Sequence, residues 1–96
     1  MFDLNISMRV ESDRDFPELR KQIGVWRKRF PMFNHDVNQI ERIVEQHIQN
    51  FAIAGVQYRQ TRNKTYLEKA QQEIDAINRV ISTVEKLELM SMISQA

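Results

Sequence analysis

The chain has 96 residues and a formal net charge of +1, which fits a single domain, residues 1–96, and is too small to indicate a polyanion partner by itself. It contains no cysteine, which excludes disulfides, thiolate catalysis and cysteine metal ligands. Only two glycines and two prolines occur, which disfavours a turn-rich β-sandwich. We therefore expect an all-α, mainly helical fold built from a few long elements.

Residues 1–11 alternate between apolar and polar side chains with a period of two. The apolar set is Phe2, Leu4, Ile6, Met8 and Val10. This alternation is typical of a β-strand. Since no other segment alternates as well, such a strand would have to pair with a copy of itself or with another protein. The alternative is an extended arm that packs its apolar side on a helix.

Residues 15–30 are predicted to form a short amphipathic helix, with Asp15 and Glu18 as a capping box and Pro31 ending it. Its apolar face consists of Phe16, Leu19, Ile23, Trp26 and Phe30, spaced three and four residues apart. The opposite face is predicted to carry Arg20, Lys21, Arg27 and Lys28. We interpret this face as a solvated surface. Alternatively, the four basic residues are the candidate site for an anion, a nucleic acid or an acidic protein, or they face a membrane surface.

Residues 36–62 are predicted as one long helix. Three small residues lie in its middle: Ala52, Ala54 and Gly55. The helical spacing of apolar residues nevertheless runs unbroken from Val37 to Tyr58, and reading this stretch as a strand gives no clean alternation. We interpret the small residues as a surface that allows a neighbouring helix to approach closely. The alternative is a ligand pocket beside Gly55.

Residues 66–93 are predicted as a second long helix, with apolar spacing from Leu67 to Val84. Asn63 is expected in the left-handed conformation that ends the preceding helix, and Thr65 in a capping box with Glu68. A short link between two helices of about 40 Å each predicts an antiparallel helical hairpin with coiled-coil spacing.

Four aliphatic side chains are expected to flank the hairpin seam: Ile43, Ile48, Val80 and Leu87. The first helix is about half as long as the others and covers only part of one side. We therefore expect a homodimer in which two hairpins form a four-helix-type bundle.

The C-terminal segment holds more apolar residues than one helix face can bury. The candidate partner-binding residues are Leu89, Met90, Met92 and Ile93. Methionine-rich surfaces repack readily against varied partners. This segment is expected either to cap the dimer of this chain, to bind a different protein, or to fray.

No set of residues in the sequence converges on a catalytic arrangement. His35 and His47 are twelve residues apart, and no glycine-rich phosphate loop or nucleophile motif is present. We expect no catalytic residues, metal or cofactor. His47 occupies a core-type position, which we interpret as a half-buried histidine satisfied by a neighbour or by water. Alternatively it meets its twin across a dimer axis, where protonation would weaken the assembly.

The function expected from these patterns is that of a non-catalytic protein–protein interaction module: an adaptor, chaperone or assembly subunit acting as a homo-oligomer. The alternative is a small nucleic-acid-binding regulator that uses the basic face of the first helix. The sequence shows neither a signal-peptide pattern nor a run of about 18 apolar residues, so we expect a cytoplasmic protein with no membrane partner.

Overall fold

The computed structural model describes residues 8–94, and the side chains of residues 8–86. Within that part of the chain no strand occurs. There are three α-helices: α1 (Phe16–Arg29), α2 (Asn34–Thr61) and α3 (Lys64–Ser94). Short 3-10 turns precede the first two helices, at Asp13–Asp15 and Pro31–Phe33. The prediction of three helices is confirmed.

The two long helices pack against each other as a hairpin, as the sequence predicts. Only Arg62 and Asn63 separate them, so the helices run antiparallel. The radius of gyration is 15.3 Å, above the value of about 13 Å for a compact domain of this length. The molecule is therefore a rod, with extents of 54 × 24 × 17 Å.

One hydrophobic core joins the three helices. Its buried members include Leu19, Ile23 and Trp26 from α1, Val37, Val44 and Ile48 from α2, and Ile74, Ile77, Ile81 and Val84 from α3. These residues recur every three or four positions, which is why each helix presents one continuous apolar face. Burial of this face, rather than helix propensity, supplies most of the helical stability.

Helix α1 packs against one half of α2 and runs antiparallel to it. Phe16 at its start meets Phe51 edge to face, with ring centroids 5.4 Å apart. Arg27 near its end pairs with Glu41, at 2.6 Å. Because α1 begins opposite Phe51, the part of α2 beyond residue 51 extends past it. Within residues 8–94, the rod thus has three helices at one end and only the hairpin at the other.

Of the two alternatives for the N-terminus, the strand is wrong for residues 8–11, and the alternative of an arm packed on a helix holds there. Val10 is 1% exposed. Its N–H donates to Oδ1 of Asn78, and its carbonyl accepts from Nδ2 of Asn78, both at 2.8 Å. A side-chain amide carries the same donor and acceptor as a peptide group, so α3 satisfies this backbone without a second strand. Residues 1–7 lie outside the described residues.

The helix caps differ from the predicted ones. The Asp15 carboxylate accepts from the N–H groups of Glu11 (2.8 Å) and Ser12 (3.2 Å), so it organises the turn before α1 rather than pairing with Glu18. At the hairpin loop, Arg62 takes the left-handed conformation, with φ 58° and ψ 18°. Asn63 instead accepts a hydrogen bond from the N–H of Thr65, at 3.0 Å. A two-residue loop needs one residue for each role, and the asparagine carbonyl is the better acceptor at a helix start.

The small residues of α2 do not act together. Ala54 is 3% exposed and lies in the hairpin seam, as expected for close helix packing. Ala52 is exposed, and a Cβ added to Gly55 would meet nothing within 4 Å. The predicted close approach at Gly55 is therefore absent within the described chain.

Candidate interaction surfaces

The four basic residues predicted on α1 divide into two pairs. Arg20 makes a bidentate contact with Glu45, at 2.8 and 3.2 Å. Arg27 contacts Glu41 at 2.6 Å and Asn38 at 3.1 Å. Both arginines therefore bind α2 rather than solvent.

Lys21 and Lys28 are exposed and make no ion pair with the residues that the structure describes. Of the predicted basic face, these two lysines alone point away from α2 without a carboxylate partner in that part of the chain.

The Arg20–Glu45 pair has an electrostatic signature. The hydrogen bond from Arg20, and secondly its charge, hold the pKa of the Glu45 carboxyl below its ordinary value of 4.5, against the opposing effect of burial. Both side chains are more than a third exposed, at 51% and 38%. Such a pair is worth less than about 1 kcal/mol. It positions α1 more than it stabilises the fold.

His47 has a partner within its own chain. Its Nδ1 lies 2.5 Å from Oε2 of Glu73 on α3, and the two side chains are 27% and 23% exposed. A carboxylate only accepts, so Nδ1 carries the hydrogen. His47 is thus half-buried, with a neighbour in its own chain as its partner. The alternative contact with its twin across a dimer axis stays a prediction.

The side of the hairpin away from α1 forms a surface that we call the open face. From α2 it takes Ile43, Gln46, Asn50, Ile53 and Gln57. From α3 it takes Lys69, Glu73, Ala76, Val80 and Thr83. At 100° per residue, Ile43 lies opposite Glu41 and Glu45, the residues that contact α1. A shallow groove of about 340 Å³ follows the seam beside Ile53.

The open face carries exposed apolar side chains spaced along its length and has few charged residues. Ile43 is 46% exposed and Ile53 is 55% exposed. Of its ten residues only Lys69 and Glu73 are ionisable, and Glu73 already pairs with His47. Depletion of charge at the centre of a surface is a compositional mark of protein interfaces.

The C-terminal candidates fall where only the backbone is described. The helix α3 continues through Leu89, Met90, Met92 and Ile93 to Ser94, so these residues extend the rod beyond the described core. The contacts of their side chains lie outside the described residues.

A second basic surface lies at the hairpin loop, and sequence reasoning missed it. We call it the basic tip: Arg59, Arg62 and Lys64, with Lys69 at its border with the open face. The Arg62 guanidinium lies 5.7 Å from the centroid of the Tyr58 ring, and Lys69 Nζ lies 5.4 Å from that of Tyr66. A charge count confined to residues 46–72 would have revealed it, since this segment has four basic residues and one acidic residue.

Neither metal-site geometry nor a membrane span is found in the described part of the chain. No three His, Cys, Asp or Glu side chains there are grouped so as to hold a metal ion. No helix among those residues combines the length and apolarity needed to cross a membrane. Comparison with protein-family models, characterised proteins and solved structures finds no match to this chain.

Proposed function

We propose that this chain is a non-catalytic interaction module that acts as a homodimer, in which two copies meet through their open faces. The observation that carries the proposal is the exposure of Ile43 and Ile53 on a face that α1 leaves bare. Apolar side chains scattered singly on a surface need no explanation. Here, however, they lie with Ala76 and Val80 on a nearly uncharged surface.

The dimensions of the face fit a weak contact. From Ile43 to Gln57 the open face is about 21 Å long at 1.5 Å per residue, and across the 24 Å width of the molecule its footprint is roughly 500 Å², below the ~800 Å² that each partner contributes to a standard interface. Two hairpins meeting there would form a four-helix layer, with each α1 on the outside. The adaptor, chaperone or assembly roles expected from the sequence would then belong to the dimer.

The expected free energy of dimerisation can be worked out from the burial of Ile43 and Ile53. Full burial of such a side chain is worth about 1.5–3 kcal/mol, and each of the four in the dimer starts about half exposed. Their burial would contribute on the order of 3–6 kcal/mol, less than the ~8 kcal/mol of a micromolar complex. Contacts at Ala76 and Val80 must supply the rest, so we expect micromolar dimerisation.

The test is the mass of Ile53→Lys measured by light scattering across a concentration series. The matched control is Val25→Lys, because Val25 is 47% exposed but lies on the outer side of α1. We expect the parent and V25K to dimerise at tens of micromolar, and I53K to stay monomeric with a helical circular dichroism spectrum. A parent chain that is monomeric at 200 μM would reject the homodimer, and equal loss in both variants would reject the open face.

The nucleic-acid alternative on α1 has less support. A phosphate at Arg20 or Arg27 would have to displace Glu45 or Glu41 from contacts of 2.8 and 2.6 Å. That leaves Lys21 and Lys28 as the available cations of this face. Binding of a different protein through the C-terminal residues 89–93 is a further possibility, for which α3 supplies a helical backbone.

A further inference from the structure

We propose that the basic tip binds the phosphate backbone of a nucleic acid. The first observation is the distribution of charge along the rod. Residues 46–72 have a formal charge of +3, so the remaining residues carry −2. The hairpin loop at the centre of this segment is the end of the rod that α1 does not cover. Positive charge is therefore concentrated where a long polyanion has access.

The second observation is that the tip cations are not neutralised. Arg59, Arg62 and Lys64 make no ion pair with any residue that the structure describes, and all three are exposed. On α1, by contrast, Arg20 and Arg27 each contact a glutamate. Arg62 instead lies over the Tyr58 ring, which holds the guanidinium in place without cancelling its charge.

The third observation is the backbone at Arg62. Its φ of 58° lies in the left-handed region, where glycine and asparagine are the favoured residues. This conformation ends α2, with the Arg62 N–H donating to the Tyr58 carbonyl at 2.7 Å. The position gives Arg62 the outermost place on the hairpin, between the two helix ends.

The aromatic residues favour a nucleic acid over an acidic protein. Tyr58 and Tyr66 are partly exposed beside the cations. Tyrosine rings next to basic side chains offer a surface on which bases stack, the usual arrangement in sequence-tolerant binding of single strands. A carboxylate-rich peptide would satisfy the charge but would leave these rings unused.

The test is fluorescence anisotropy with a labelled single-stranded oligonucleotide, titrated with the full chain between 50 and 300 mM salt. Three to four phosphate contacts give a slope of log K against log salt of about −2 to −3. The tip variant is Arg62→Gly with Lys64→Gln, and the matched control is Lys21→Gln with Lys28→Gln, which removes the same number of charges from α1.

We expect the tip variant to lose at least about tenfold in affinity at 50 mM salt and to flatten the slope by one to two, since each phosphate contact contributes about 0.7–0.9. The control should stay within twofold of the parent. Glycine suits the backbone at residue 62, so the tip variant should melt no lower than the parent. If the tip variant melts lower than the parent, Arg62→Asn is used in place of Arg62→Gly, because asparagine also tolerates this conformation.

Three results would overturn the proposal. One is the absence of salt-sensitive binding at 50 μM protein. Another is an equal loss in the α1 control, which would move the site to Lys21 and Lys28. The third is binding of poly-glutamate as tight as binding of the oligonucleotide, which would indicate an acidic protein. Because neither tip substitution touches the isoleucines of the open face, dimer mass reports separately on the proposed function.

Discussion

Replacement of Asn78 by alanine tests how the N-terminal arm is held. The Asn78 amide makes two hydrogen bonds of 2.8 Å to the backbone of Val10, each worth about 0.5–1.5 kcal/mol net. With the amide removed, the buried Val10 N–H and carbonyl would cost about 1–3 kcal/mol each if they stayed dry. The arm would instead detach and give up the burial of Val10, worth about 1.5–3 kcal/mol. We expect a net loss of about 2–4 kcal/mol in the free energy of unfolding.

Two measurements read out this change. Urea unfolding followed by the fluorescence of Trp26, the single tryptophan and 4% exposed, gives the free energy of unfolding. Amide hydrogen exchange at Val10 reports on the arm directly, and its protection should be lost in N78A. The control Gln71→Ala removes an exposed hydrogen bond within α3 and should change stability by less than about 0.5 kcal/mol.

Docking of the arm by Asn78 also predicts that the stability changes at Asn78 and Val10 are not additive. If the amide acts only by docking the arm, N78A combined with Val10→Ala should cost less than the two single changes together. Unchanged exchange at Val10 in N78A, or a loss of stability no larger than that of Q71A, would show that another contact holds residues 8–11.

Two further predictions concern the helices. Gly55→Ala should stabilise the chain by about 1 kcal/mol, because alanine is the better helix former and its Cβ meets nothing within 4 Å; thermal melting measures this. The dimer mass should stay unchanged, and a loss of dimer in G55A would place the interface on the α1 side. Arg20→Gln should destabilise by less than about 1 kcal/mol at pH 7. Since the folded pKa of Glu45 is lowered, the contribution of the pair is complete above about pH 4.5 and is lost as pH falls through the folded value. The difference between the two chains in urea unfolding should therefore shrink as the pH is lowered below 4.5, and an undiminished difference would contradict the assignment.

The helices were predictable because each displays one apolar face at a spacing that only a helix can bury. The spacing from Val37 to Tyr58 passed through Ala52, Ala54 and Gly55 without a shift, and the helix passes through them as well. The arm was not predictable in the same way. Alternation in residues 1–11 shows which side is apolar, but it does not show what satisfies the backbone. A single asparagine on α3 does so for Val10.

The candidate sites were harder to predict. A helical projection shows on which face of a helix a residue lies, but it does not show which other helix packs against that face. Arg20 and Arg27 lie seven residues apart and flank the apolar face, while Glu41 and Glu45 share one side of α2. Their contact depended on α1 lying antiparallel to α2. The basic tip could be recognised only once the loop between α2 and α3 was located. The net charge of residues 63–96 does not reveal it, because that range also includes the acidic residues further along α3.

Because α1 begins opposite Phe51, the rod should not be equally stiff along its length. On one side of the Phe16–Phe51 contact a third helix packs on the hairpin. On the other side, among the residues that the structure describes, α2 and α3 pack only on each other. Segments with fewer buried contacts open at lower free energy. The part of the hairpin beyond Phe51 should therefore unfold locally before the rest, and the rod should bend most easily at the Phe16–Phe51 contact. A ligand bound at the hairpin loop would therefore contact the more flexible end of the rod. Movement of that end would leave the three-helix core unchanged.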